Sequence, residues 1–206
     1  IRSSSAASDV YKRQVGISAE LRTRDLVIGE TGAFEQASSS TTTVDGNLRM
    51  LATDEAQLTI DPNSSLVMAG GIGAVVDEWA DWGRLEVGGL DLGTDPDNNV
   101  GDPDGFIDNF SLAELVIGEG ASIFLTDQAD NGNRGGPQGL AEALYVDTLT
   151  FADGDGTLNL NGLNIYFNEL VGDPDQIINT VVPIPPAMVL FMSALGLLGW
   201  VRRRAH

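Results

Sequence analysis

The residues best equipped for chemistry lie in one acidic loop, Asp95-Pro-Asp-Asn-Asn-Val-Gly-Asp-Pro-Asp-Gly-Phe-Ile-Asp108. Oxygen-rich loops with a glycine at the bend suit Ca²⁺, which takes about six to eight oxygen ligands. Asp102, Asp104, Gly105, Ile107 and Asp108 match positions 3, 5, 6, 8 and 9 of a twelve-residue calcium loop. Positions 1 and 12 fall on Val100 and Ser111, so the match fails at two strong ligands. A rearranged site would draw on Asp97, Asn99 or Glu114. Asp102, Asp104 and Asp108 are therefore the candidate calcium ligands, against the competing reading of a solvated turn. A second acidic pair, Asp153 and Asp155, alternates with Gly154 and Gly156. Two carboxylates serve glycoside hydrolysis, but the same pattern makes a hairpin-like corner. No basic partner accompanies the pair, and no catalytic residue is assigned. Asp-Pro-Asp recurs at Asp173, where ordinary turn chemistry suffices. Asp127–Gly136 reads as a plain polar loop with Arg134 as its only cation.

Composition narrows the chemistry further. The 206 residues hold no Cys and one His, the terminal His206. Thiolate sites, disulfides and imidazole bases drop out together. Thirty acids against eleven Lys and Arg give a net charge of −19, which argues against nucleic acid as a partner. Between Val15 and Val182 the balance is steeper, with 29 acids against five arginines, or −24. Such a body stays soluble by self-repulsion and suits saline surroundings.

The elements that would position these groups read as strands. Between Val15 and Val182 no helical period lasts beyond two or three turns. Leu-x-aliphatic runs bounded by Gly, Asp and Asn recur instead, starting at Leu26, Leu58, Leu85, Leu115 and Leu149. The starts are 32, 27, 30 and 34 residues apart, and LVIGE occurs twice, at Leu26–Glu30 and Leu115–Glu119. A period near 30 predicts an all-β fold, a β-solenoid (parallel β-helix) of five coils. An antiparallel β-sandwich is the alternative, with strands at shorter spacing. Alternation after Thr157 points Leu158, Leu160 and Ile165 inward, leaving Asn159, Asn161 and Asn164 for side-chain ladders or for water. Ala74–Arg84 suits a helical turn with Trp79 and Trp82 on one side, more a plug onto the core than a sugar platform. The segment from Glu142 through the Leu158-Asn-Leu-Asn-Gly-Leu-Asn-Ile-Tyr-Phe stretch resembles the closing coils of exported bacterial β-helix proteins. It is also similar to autotransporter passenger repeats.

The two ends differ from the body. Ser4–Gln14, SSAASDVYKRQ, resembles a translated transposase sequencing adaptor, whose conserved end back-translates from its second half as GAT GTG TAT AAG AGA CAG. That resemblance implies that residues 1–14 are a disordered artefact of short-read assembly and that the reading frame is cut at its start. At the other end, Ala187–Val201 runs fifteen residues without a charge, preceded by Pro183, Pro185 and Pro186 and followed by Arg202, Arg203 and Arg204. At about 1.5 Å per residue such a helix reaches roughly 22–27 Å, marginal for a hydrocarbon core. Trp200 suits the interface, and the arginines suit the cytoplasmic side.

This order of parts resembles the PEP-CTERM sorting signal of Gram-negative bacteria, a Pro motif, an apolar helix and an Arg cluster. Pro183-Ile184-Pro185-Pro186-Ala187 departs from the commonest Pro-Glu-Pro form and looks more like its VPLPA-type variant. The resemblance implies export across the inner membrane, transient anchoring and processing by an exosortase near the prolines. It implies a final place at the cell surface or outside the cell, often beside exopolysaccharide.

The expected organisation is a solenoid body over 15–171, an acidic, Pro-containing linker over 172–186, and a sorting helix over 187–206. The expected function is an exported, non-enzymatic surface or matrix protein without a cofactor, calcium aside. A polysaccharide-acting β-helix enzyme and a calcium-dependent adhesion module are the alternatives.

Overall fold

The structure, a computed structural model, describes residues 3–4, 8–10, 13–70, 82–94, 101–133, 142–152 and 155–179. The chain climbs in levels. The first holds β1 (Ser3–Ser4), β2 (Ser8–Val10) and β3 (Arg13–Val15); the second β4 (Glu20–Thr23), β5 (Leu26–Ile28) and β6 (Phe34–Gln36). The third holds β7 (Thr41–Val44), β8 (Leu48–Met50) and β9 (Leu58–Ile60). Above it come β10 (Ser65–Met68) and β11 (Gly83–Glu86), with a short β12 (Gly89–Leu90). Three further levels are β13 (Leu112–Ile117) with β14 (Ser122–Thr126), β15 (Glu142–Phe151) with β16 (Thr157–Asn159), and β17 (Asn164–Val171) with β18 (Ile177–Ile178).

Like strands pair level on level. The first sheet runs β1-β4-β7-β10-β13-β15-β17, the second β2-β5-β8-β11-β14-β16-β18, and the third β3-β6-β9. These pairings are all parallel. Among the described residues the antiparallel contacts are β12 on the start of β15 and a Thr94–Gly101 bridge. The fold is thus all-β with parallel sheets, compatible with a β-solenoid, and the antiparallel sandwich does not hold. No helix among the described residues is long and apolar enough to cross a membrane.

The strands form where β-branched and aliphatic residues alternate with polar ones, as in Thr41–Val44 and Ser65–Met68, where every second side chain is buried. Register stacks these inward residues in columns. Leu21, Thr42, Leu66, Leu115, Leu149 and Leu170 occupy one column of the first sheet. Leu26, Leu48, Leu85 and Leu125 occupy one in the second. Together they build one continuous core.

The columns correct the expected period. Consecutive members of the first column lie 21, 24, 49, 34 and 21 residues apart. The plain circuit is therefore 21–24 residues, lengthened where chain is inserted after β10, β11 and β14. The five Leu-x-aliphatic starts fall on different sheets: Leu26 and Leu85 on the second, Leu58 on the third, Leu115 and Leu149 on the first. The two LVIGE copies are likewise not equivalent, since β5 and β13 belong to different sheets. Each sheet needs the same inward alternation, so the motif marks a strand without marking which one. The first sheet stacks seven parallel strands, not five.

The corner between the first and second sheets repeats a polar clip. Asp25 Oδ1 accepts from the Asn47 backbone N–H and side-chain amide, both at 2.9 Å, and Asn47 Oδ1 accepts from Arg84 N–H at 3.2 Å. Three levels are tied at one edge. Gly46 sits there because a Cβ would come within 2.7 Å of Asp25 Oδ1 and 2.8 Å of the Arg24 carbonyl.

Ser3–Ser4, Ser8–Val10 and Arg13–Val15, from the stretch expected to be an adaptor artefact, pair with β4, β5 and β6. The open end of a parallel stack presents unpaired N–H and C=O groups that accept further strands. The linker expected from 172 carries a capped turn, Pro174–Gln176, and then β18, which pairs with β16. Ile177 packs against the core and helps keep this stretch on it. Gly83 and Arg84, placed in the helical turn expected over Ala74–Arg84, begin β11.

Candidate functional site

The insertion after β11 carries the acidic loop, so the site begins with how that insertion is held. β12 pairs with Ala143 and Glu142, and Asn109 then closes both sides of Leu90. Asn109 Oδ1 accepts the Leu90 N–H at 2.6 Å, and its amide donates to the Leu90 carbonyl at 3.1 Å. Asp91 follows, 5% exposed. Its carboxylate accepts from Tyr166 Oη at 2.8 Å, Asn164 Nδ2 at 2.7 Å and Gly93 N–H at 3.0 Å. Tyr166 stacks on Tyr145 at 4.8 Å, and Phe106 meets the Tyr145 ring edge-on at 5.3 Å. Tyr145 Oη accepts the Leu92 N–H at 2.9 Å. A Cβ at Gly105 would fall 2.0 Å from the Tyr145 ring, so the loop can lie this close only with glycine there.

Burial pushes the Tyr145 phenol up to about 12, reinforced by the Asp91 and Asp102 charges and opposed by the amide bonds of Leu92 and Gly93. Tyr166 is also pushed up, first by burial and then by its hydrogen bond to Asp91 and the Asp91 charge. Both remain neutral phenols at ordinary pH. The arrangement pins an insertion and does not create a base.

The three candidate calcium ligands are placed differently. Asp102 caps the turn Pro103–Phe106, its Oδ1 accepting the Asp104 N–H at 3.0 Å. Asp104 is exposed on that turn, and Asp108 is exposed in a left-handed conformation, φ 48°. Glu114 lies elsewhere, on the outer face of β13, where it accepts from Ser65 Oγ and, at 3.3 Å, from Thr150 Oγ1. Among the described residues no group of three or more His, Cys, Asp or Glu is placed to hold a metal ion. Asp97 and Asn99 lie outside the described residues, as does Asp153; Asp155 is exposed in the turn before β16. The sorting residues Pro183, Ile184, Pro185, Pro186, Ala187, Trp200, Arg202, Arg203 and Arg204 also lie outside them, as does Trp79.

Sequence reasoning missed a second polar cluster. Glu86, 5% exposed, accepts from Thr126 Oγ1, Gln128 N–H and Ala129 N–H. Asn131, in the loop expected to be plainly polar, is 1% exposed and donates to the Met50 and Ala52 carbonyls at 3.3 and 2.5 Å. Its backbone N–H donates to Glu142 at 2.9 Å. The loop is thus tied to the end of β8 and the residues just after it. The only signal available was Glu86 within an apolar run. Of the expected inward residues, Leu158 and Leu160 are buried and Ile165 is half-buried. Asn159 is buried with them and accepts from Asn161 N–H at 2.9 Å and Asn179 Nδ2 at 3.0 Å, a bond between neighbouring levels.

No protein-family model, curated protein or solved structure matches the chain.

Proposed function

We propose that this chain is an exported, non-enzymatic protein of the cell surface or extracellular matrix, its body a parallel β-helix. A PEP-CTERM-type tail processed by an exosortase directs it there. The observation that carries the reading is how the buried polar side chains are employed. Asp91, Glu86, Asn131 and Asn159 each join one level or insertion to another. That is the use expected of a scaffold. The column register supports the β-helix reading, and the net charge of −24 over Val15–Val182 suits a solvated body in a saline exterior. The Pro, apolar and Arg parts of the tail support the inner membrane and an exosortase as partners, with exopolysaccharide as the surrounding matrix.

The test is export of the full chain behind a secretion signal in a Gram-negative host, with and without a cognate exosortase. With the enzyme, a shortened product reaches the surface or the medium; without it, the full-length chain stays in the membrane fraction. Substituting both Pro183→Ala and Pro185→Ala blocks the shortening. One size in both hosts, in the same fraction, contradicts the reading.

A further inference from the structure

The third sheet stops at β9 among the described residues, while the first and second continue through four more levels. In the place of its next strand an open groove of about 330 Å³ separates β9 from the Phe106–Ser111 segment. One wall is a strand edge. In a parallel ladder successive residues direct their backbone groups to opposite sides. Asp61 N–H donates to the Gln36 carbonyl of β6, so Thr59 faces β6 and Leu58 and Ile60 face the groove. The Leu58 N–H is taken by the Glu55 carbonyl. The Leu58 carbonyl and both backbone groups of Ile60 are directed into the groove.

The opposite wall is set in advance. Asp108 and Phe110 both hold left-handed backbone, φ 48° and 53°, which is costly for a phenylalanine. Asn109, bonded to the Leu90 and Gly105 carbonyls, and Ser111 Oγ, bonded to the Phe106 carbonyl at 2.9 Å, fix that shape. It leaves Ile107 64% exposed beside an edge that pairs with no further strand among the described residues. Edges of this kind accept an extended peptide by backbone hydrogen bonds, with side chains setting specificity.

Charge selects the occupant. The described lining holds two carboxylates, Glu55 and Asp108, and no lysine or arginine. A second copy of the body, at −24, would be repelled. We propose that the groove takes one extended peptide strand, apolar and lysine- or arginine-bearing on alternate residues, added to the edge of β9.

The test uses the full chain and a labelled acetyl-Val-Lys-Val-Lys-Val-amide peptide, read by fluorescence anisotropy. The Lys peptide binds with saturation below about 1 mM, the range of a single weak strand. A Glu-for-Lys version does not bind, nor does one N-methylated on alternate amides. Ile107→Ser, at an exposed site and without a change of charge, weakens binding at least about tenfold, and Ile60→Pro, which deletes the outward N–H, does the same. No saturation by the Lys peptide overturns the proposal. Equal binding of the N-methylated peptide, or no effect of the charge-neutral Ile107→Ser, also overturns it, because attraction would then be charge alone.

Discussion

Replacing Asp91 by alanine tests how the acidic insertion is held. The side chain is 5% exposed and accepts three hydrogen bonds of 2.7–3.0 Å from Asn164, Tyr166 and Gly93. A hydrogen bond to a charged group contributes about 1.5–3 kcal/mol, and three on one carboxylate share that gain without adding fully. Asp91→Ala also leaves the Tyr166 hydroxyl and the Asn164 amide without their acceptor. The expected loss is about 4 kcal/mol, or roughly 8–16 °C in Tm for a chain of this size. Asp91→Asn keeps the shape and one acceptor oxygen and loses about 1–2 kcal/mol. Tyr166→Phe removes a single bond and loses about 1 kcal/mol. Urea unfolding gives the order, and hydrogen exchange shows where it acts. Protection falls first at 89–93 and 101–111, because the insertion opens before the stack. An Asp91→Ala protein within about 1 kcal/mol of the parent would refute the pinning argument.

Other outcomes follow from the same structure. Thr42 is fully buried in the Leu21–Leu66 column with no partner for its hydroxyl, so Thr42→Val raises stability by about 1 kcal/mol in the same unfolding assay. Leu115→Ala, at a fully buried column position, costs about 3–5 kcal/mol by opening a cavity. Gly105→Ala drives a methyl into the Tyr145 ring and costs more than about 2 kcal/mol, with exchange rising around residue 105. Tyr145 and Tyr166 both have folded values raised above the unfolded one. Their contribution is full below about pH 10 and is lost as pH climbs towards about 12. Tm is therefore level up to about pH 9 and falls above it, less steeply in Tyr145→Phe; a rise above pH 10 contradicts the assignment.

The all-β class was legible because inward alternation, glycine-rich turns and scarce helical period all agree. The level-to-level register was not. Leu26-Val-Ile and Leu115-Val-Ile carry the same local instruction, and only the 69–82, 87–111 and 127–141 insertions decide which sheet receives each. Insertions cost little loop-closure entropy, so a stack tolerates them and loses its sequence period. The acidic loop was legible as a feature but not in its employment. Asp102 at a turn start is a capping residue as readily as a ligand, and the partner that fixes the insertion, Asp91, lies outside the motif. Tyr145 and Tyr166 meet it from strands 54 and 75 residues further on, a distance that no local pattern spans.

The stacking of levels is tested most directly by paired cysteines, since the chain contains none of its own. Thr43 lies opposite Val67, and Val67 opposite Val116, on the outer face of the first sheet. Neighbouring strands are about 4.8 Å apart, within the Cα range of a disulfide. Mild oxidation should cross-link Thr43→Cys with Val67→Cys, and separately Val67→Cys with Val116→Cys, with mobility restored by reductant. A register displaced by one residue, as in Thr43→Cys with Leu66→Cys, should not link. Failure of both matched pairs, or equal linking of the displaced one, would contradict the stack.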